Sequence, residues 1–467
     1  MKEILKLCKY FSKEHWKGLI IAFILILFSG FADFVSLTSV IPFLGLISNP
    51  DQFLSKNLNN QNGFISFFLN SNEPIIFITI LFCTTVLIAG IIRIYSIKFN
   101  AFQSAKISSF LGIQGYRSSI SVPYAFHSKN NSSEVIAVLS IIVPKVTGTL
   151  ISCLQLINSL VQAIFIISAL IFINFRTTLV ALTFFSSLYF LIGNLVRKKI
   201  KNNGIIMSGL LGTQTKTIQE TLGSLKNIIL GSYGEVYINS FSKKEIKLRQ
   251  LSAENNFLTV FPKFFLEPFG IMFIAVLGYY FSVIIGDSFE GGIALLGAFA
   301  LGSQRLLPAL QQIYAGWANI KMRSPDIKRL IRILNYPKEK FISNIRKIEP
   351  KVIELKSIYF SYSRVRNNIV SDVNLKINKG SKVALVGATG SGKSTIMDIL
   401  MGLTKPSKGE LLINNKNVFH NTNHNLLCQW RASIAHVPQE VFLFDASIEE
   451  NITLSLSKKD INKKRLE

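Results

Sequence analysis

The sequence predicts an α-helical membrane domain of six spans, followed by an α/β domain that carries a phosphate-binding loop. Three observations carry this expectation. Long apolar stretches fill the first two thirds of the chain, basic residues gather in alternate connections between them, and a GxxxxGKS motif stands late in the sequence. The 467 residues allow about three domains. Hydrophobic residues make up 49%, charged residues only 16% against the ~25% of ordinary soluble chains, and Phe alone numbers 37. A disordered, fibrous or ordinary soluble protein is excluded. The net charge of +25, from 51 Lys and Arg against 26 Asp and Glu, would suggest nucleic acid on a soluble chain. Here the apolar content points to a membrane, and with no basic groove interleaved with aromatics, no DNA or RNA partner is expected. Cys8, Cys83, Cys153 and Cys428 lie far apart at no metal-ligand spacing, and are read as reduced packing residues.

Crossing a ~30 Å hydrocarbon layer takes about 20 helical residues. Six stretches qualify: Lys17 to Ile47, Pro74 to Ile97, Val146 to Ile173, Thr177 to Val196, Phe257 to Ile285 and Gly291 to Trp317. The first is too long for a cleaved secretory signal, despite the lysines that precede it, and five more follow. Arg197 to Asn256 holds ten basic residues against four acidic, and Lys98 to Lys145 is also basic. The connections Ser48 to Glu73, around Arg176 and Gly286 to Glu290 hold almost no basic residues. The positive-inside bias therefore places the amino terminus and both long connections on the cytoplasmic side of a plasma (inner) membrane, as a multi-pass protein.

Both long connections read as helical extensions of the spans, reversing near Pro123 to Ser133 and Leu222 to Tyr233. Ser132 or Ser133 before Glu134 suits a helix start. The alternative is a pair of loose basic loops lying on anionic lipid. Asp33, Arg93, Lys263, Glu267 and Arg305 fall at lipid level, where an ionisable group must face protein or water. Arg93, Lys263 and Arg305 are candidate linings of a substrate cavity. Two readings stand for Arg93 and Lys263, cavity or snorkelling to the interface, and Asp33 could instead pair with a basic neighbour.

Beyond Trp317 the chain changes character. Lys351 to Phe360 and Asp372 to Ile377 alternate as strands, and Lys382 to Gly387 has the pattern of a buried strand. This run leads into Gly387, Ala388, Thr389, Gly390, Ser391, Gly392, Lys393, Ser394 and Thr395, with a helix predicted over Ser394 to Met401. Strand, GxxxxGK[ST] and helix in that order form a phosphate cradle. The glycines let backbone N–H groups turn inward, Lys393 supplies a cation for β and γ phosphates, and Ser394 offers a hydroxyl to Mg²⁺. Tyr362 is placed to stack on adenine, or is an ordinary aromatic at a strand end. Gln439, within Ala435 to Asp445, could ligate Mg²⁺ or orient water.

Six spans with long cytoplasmic helices, Tyr362, Gly387 to Thr395 and the segment Val437 to Phe444 resemble an exporter half-transporter of the ABC (ATP-binding cassette) superfamily. The resemblance implies an exporter-type membrane domain over 1–325 with two coupling segments, a linker over 326–350, and over 351–467 the N-terminal part of an α/β P-loop nucleotide-binding domain. It implies ATP and Mg²⁺ as cofactors, with Tyr362 as the adenine-stacking aromatic, Gly387 to Thr395 as Walker A, and Gln439 as the Q-loop glutamine. Ser394 and Gln439 would then be the Mg²⁺ ligands, and the partner would be a second copy or another half-transporter. Pro123 to Glu134, Glu220 to Ile229 and Gln304 to Tyr314 are similar to segments of lipid-linked oligosaccharide flippases. That similarity implies membrane lipid and a polyprenyl-diphosphate glycan as substrate, with Arg93, Lys263 and Arg305 along its path.

The family pattern continues past Gln439 into an LSGGQ signature, a Walker B Asp with a catalytic Glu, and a switch His, none of which occurs up to Glu467. The catalytic set is therefore incomplete, with Gln439 as its one candidate member. The expectation is a chain that binds ATP and does not hydrolyse it alone. A non-hydrolysing membrane-bound ATP-binding subunit or regulator is the alternative function. Within the transporter class, peptide, protein or drug export competes with the lipid-linked glycan.

Overall fold

The computed structural model describes residues 2–48, 74–127, 132–279, 292–339, 345–361, 368–420, 424–439 and 441–453. Two compact units emerge: residues 1–122 with 130–338, and residues 123–129 with 339–467.

The first unit is helical. A short helix α1 (Lys2–Cys8) buries Ile4 and Leu7 and leaves Lys2 and Lys6 exposed. Helix α2 (Lys13–Thr38) starts at Ser12, whose side chain accepts from the His15 N–H, and α3 (Val40–Ser48) follows. Four helices are much longer: α4 (Pro74–Ile120), α8 (Phe175–Gly223), α10 (Gly234–Tyr279) and α11 (Gly292–Leu334). At 1.5 Å per residue they reach roughly 65 to 75 Å, about twice the ~30 Å hydrocarbon layer. The spans thus continue as rods beyond the bilayer, as the two long basic connections predict.

Helix boundaries fall near both expected reversals, of which residues 128–131 lie outside the described set. Near Pro123 stands the short α5 (Tyr124–His127), and α6 (Ser132–Ala137) then starts at Ser132. At the other reversal α8 ends at Gly223, α9 (Leu225–Leu230) follows, and α10 begins at Gly234. Between α6 and α7 (Val143–Ile173) the chain makes a π-helical turn, Val138–Ile142, closed by the Val143 N–H on the Val138 carbonyl. Pro144 has no N–H to offer the Ser140 carbonyl, and widening the ring accommodates that loss. Asn174 alone joins α7 to α8, its side chain accepting from the Thr177 N–H at 3.2 Å.

Among the described residues, five helical stretches are long and apolar enough to cross a membrane: 13–44, 75–120, 132–173, 175–223 and 234–279. The sixth expected span, Gly291 to Trp317, lies within α11 apart from its first residue, which is outside the described set. This is a multi-pass membrane protein.

Packing between the rods follows side-chain size and polarity. Ile107 and Leu111 of α4, Val146 of α7 and Ile327 and Leu330 of α11 form a core with Leu7. Gly204 of α8 lets its helix close onto α11, since a Cβ there would sit 2.1 Å from the Met322 carbonyl. Arg329 of α11 grips Glu134 of α6 through two bonds of 2.9 and 2.6 Å. Pro262 lies inside α10 and cannot donate to the Leu258 carbonyl four residues back; the Tyr314 hydroxyl of α11 donates to it instead at 3.1 Å.

The second unit holds an antiparallel sheet in the order β2-β1-β3-β4. The strands are β1 (Val352–Phe360), β2 (Val370–Asn378), β3 (Lys408–Ile413) and β4 (Lys416–Asn417). Asn414 and Asn415 both have positive φ, as the tight turn between β3 and β4 demands. Helix α12 (Lys393–Leu400) drops Ile399 onto Leu355, Leu411 and Ile413 of the sheet, and α13 (His424–Ala432) adds Leu427 and Trp430.

One expectation fails here. Lys382 to Gly387 is no strand and is mostly exposed, Val386 by 92%. Its apolar pattern is that of a strand covered on both faces, but none of the four described strands pairs with it.

Candidate phosphate-binding site

The loop Gly387 to Thr395 opens directly into α12. Gly390 and Gly392 take φ of +84 and +88, a left-handed conformation that side-chain-bearing residues rarely adopt. At Gly392 space is short as well, because a Cβ would come within 3.1 Å of the Ile369 carbonyl. The Ile396 N–H bonds the Gly392 carbonyl at 2.9 Å, starting the helix. Lys393 folds back over the loop, its Nζ donating to the Gly387 and Ala388 carbonyls at 2.8 Å each. A cation and a glycine wrap stand together at a helix N-terminus, whose first amides have no partner within the helix, an arrangement that suits a polyphosphate.

The far end of α12 is anchored. The Trp430 indole N–H donates to the Leu400 carbonyl at 2.8 Å. Arg431 donates to the Gly402 carbonyl through Nε and Nη2 at 3.0 and 2.6 Å, and its Nη1 donates to Glu339 at 2.6 Å. Positive groups at a helix C-terminus satisfy its orphan carbonyls and its dipole. Burial raises the Asp398 carboxyl above its usual range, and the charge of His436 acts against that shift.

The other predicted residues fall differently. Tyr362 lies outside the described residues. Gln439 is exposed, in a segment without helix or strand. After it, Asn451 accepts from the Phe444 N–H at 2.8 Å and donates to the Phe444, Ala446 and Ser447 carbonyls, and Ser447 and Glu450 cap α14 (Ile448–Thr453) reciprocally. Sequence reasoning missed this brace, although Ser447-Ile-Glu-Glu450 carries the S-x-x-E spacing of a capping box. Arg431 and Glu339 were also missed; residues so far apart in sequence offer no local signal.

In the membrane unit, Arg305 approaches Asp33 at 3.6 Å and donates to the Ser36 hydroxyl at 3.1 Å. Arg93 is half-buried and within electrostatic reach of the same carboxylate. Lys263 stands apart, exposed, with its ammonium 5.5 Å from the Phe264 ring. A cavity of about 830 Å³ lies among α7, α8, α10 and α11, lined by Lys145, Arg249, Arg323 and Asp326 but by none of those three cations.

Residues 370–467, which include the glycine wrap, match the sequence pattern of the ABC transporter family. The fold is similar to that of a bacterial Atm1-family ABC exporter solved with ATP bound, with a TM-score of 0.70 at 16% identity, over 94% of this chain and 74% of that one. The chain has the architecture of an ABC exporter half-transporter. The chain is 24% identical to an ATP-dependent lipid A-core flippase of Wigglesworthia glossinidia brevipalpis, over 94% of this chain and 72% of the relative. It is 37% identical to the lactococcin-G-processing and transport ATP-binding protein of Lactococcus lactis subsp. lactis, over 30% of this chain and 20% of the relative. It spans 44% and 62% of the lengths of two similar ABC transporter ATP-binding proteins, of Mycoplasma genitalium and Mycoplasma pneumoniae.

Proposed function

We propose that the half-transporter drives export or flipping of an amphipathic anionic substrate, a polyprenyl-diphosphate-linked oligosaccharide being the favoured cargo, with ATP binding at Gly387 to Thr395 as the driving event. The carrying observation is the Lys393 and Gly392 cradle at the start of α12, in one chain with membrane-crossing rods. The residues present fit a nucleotide: loop amides and Lys393 would hold the phosphates, Ser394 and Gln439 would be the Mg²⁺ ligands, and Tyr362 would stack on the base. Bound Mg²⁺ would supply charge neutralisation at the β and γ phosphates.

The working unit in this proposal is a dimer with itself or with a second half-transporter, in the inner membrane, with its amino terminus and cassette cytoplasmic. Its parts are a transmembrane domain over 1–325, a linker over 326–350 and a nucleotide-binding domain from 351. Arg305, Arg93 and Lys263 would serve the anionic headgroup, and the headgroup must compete with Asp33 for Arg305. The flippase relative supports a lipid cargo. The second reading, peptide export, has its support in the lactococcin-G-processing and transport relative, whose match spans 30% of this chain.

Reconstituted full-length chain with fluorescent diphosphate-lipid glycan and with a labelled peptide separates the two. The first reading expects ATP-dependent movement of the glycan that Arg305→Glu abolishes while ATP binding persists. Unimpaired glycan movement by that variant overturns the cavity assignment, and movement of the peptide alone overturns the cargo.

A further inference from the structure

A second cavity, of about 330 Å³, lies in the membrane unit between α1, α2, α4 and α7. Its walls are almost wholly apolar, with Ile4, Ile26, Ile107, Leu150 and Leu154 buried at its back. Ser104 is the one hydroxyl in the lining, and it is spent on the Asn100 carbonyl at 2.8 Å. Such a space offers water no partners and suits an apolar occupant. Leu5, Trp16 and Phe23 line it while remaining 64%, 48% and 46% exposed, so they form its open rim.

The surroundings are charged with one sign. Lys2, Lys6 and Lys9 stand exposed on and just after α1, Lys13 and Lys17 flank Trp16 on α2, and Lys106 precedes the lining residue Ile107 on α4. Against these six lysines stand Glu3, which lies 3.5 Å from Lys6 and 4.0 Å from Lys328, and Glu14. A short amphipathic helix with lysines on its polar face and an aromatic rim is built to lie in a membrane interface.

We propose that this cavity is a lipid site: it takes one acyl chain of an anionic phospholipid from the leaflet on the amino-terminal side, and the lysines of α1 and early α2 hold the headgroup. The two thiols in its wall, Cys8 and Cys153, are half-buried and report occupancy directly, whereas Cys83 is exposed and lies outside it. The site stands independently of the cargo.

Full-length chain is stripped of lipid in detergent, then given dioleoylphosphatidylglycerol, dioleoylphosphatidylcholine or inorganic phosphate. Native mass spectrometry counts retained lipid, and N-ethylmaleimide labelling rates are read at each cysteine. Phosphatidylglycerol is expected to be retained and to slow labelling of Cys8 and Cys153, but not Cys83, at concentrations at least about tenfold below those needed for phosphatidylcholine. Phosphate alone should protect neither thiol. Cys153→Phe, which fills the cavity, should abolish retention and the protection of Cys8. The surface variant Lys9→Glu/Lys13→Glu/Lys17→Glu should bring phosphatidylglycerol down to the level of phosphatidylcholine. Equal action of the two lipids on the unaltered chain, protection by phosphate alone, or full retention by both variants overturns the proposal.

Discussion

The bond from Tyr314 to the Leu258 carbonyl can be weighed through the proline that makes it necessary. In an unbroken helix residue 262 would donate to that carbonyl; Pro262 cannot, and Tyr314 supplies the donor from α11. Tyr314 is 6% exposed and Leu258 9%, so no water compensates when the hydroxyl is removed. Tyr314→Phe keeps the ring against Trp317, at 5.9 Å between centroids, and orphans one buried carbonyl, a loss of about 1–3 kcal/mol. Pro262→Ala restores the helical donor. In that background the same Tyr314→Phe change should cost no more than about 0.5 kcal/mol, because the carbonyl keeps a partner. The cycle should therefore show a coupling of roughly 0.5–2.5 kcal/mol, from near the ~0.6 average for interhelical bonds in membranes to well above it. Unfolding in mixed micelles of rising dodecyl sulfate content, followed by helical circular dichroism, gives the four free energies. Additivity within about 0.3 kcal/mol would refute the substitution of Tyr314 for the missing N–H.

Four further outcomes are expected. Lys393→Ala should remove binding of a fluorescent ATP analogue while leaving the thermal unfolding of the membrane unit unchanged, as read by calorimetry. Gly392→Ala should destabilise the second unit by about 1–2 kcal/mol, because φ of +88 is strained for alanine, and should weaken the same analogue's binding. Arg329→Ala strips Glu134 of a half-buried partner and should cost about 3 kcal/mol in micelle unfolding, with Glu134→Gln milder. Trp430→Phe should lose about 1 kcal/mol through the freed Leu400 carbonyl, seen as faster hydrogen exchange at the end of α12.

Much of this was legible in the sequence because its signals are local. The rods follow from apolar length, the second reversal from the break in the helical pattern over Leu222 to Tyr233, and the phosphate loop from glycines whose positive φ the structure displays at 390 and 392. What stayed hidden depends on distant partners. The sequence allows Asp33 a basic neighbour, but nothing in it says that Arg305, on another helix, is that neighbour, and nothing near Arg431 announces Glu339. The strand expected over Lys382 to Gly387 fails for the same reason: alternation and apolarity describe a strand's faces, whereas a ladder needs neighbours supplied from elsewhere.

Arg431 has a mechanical consequence. Its guanidinium clasps Glu339, five residues past the end of α11, and the carbonyl of Gly402, two residues past the end of the helix rising from the glycine wrap. Within the second unit, Glu339, where its main segment begins, is thereby fastened to the chain that leaves the C-terminal end of the phosphate-gripping helix. A single planar cation thus closes a loop of 92 residues in sequence.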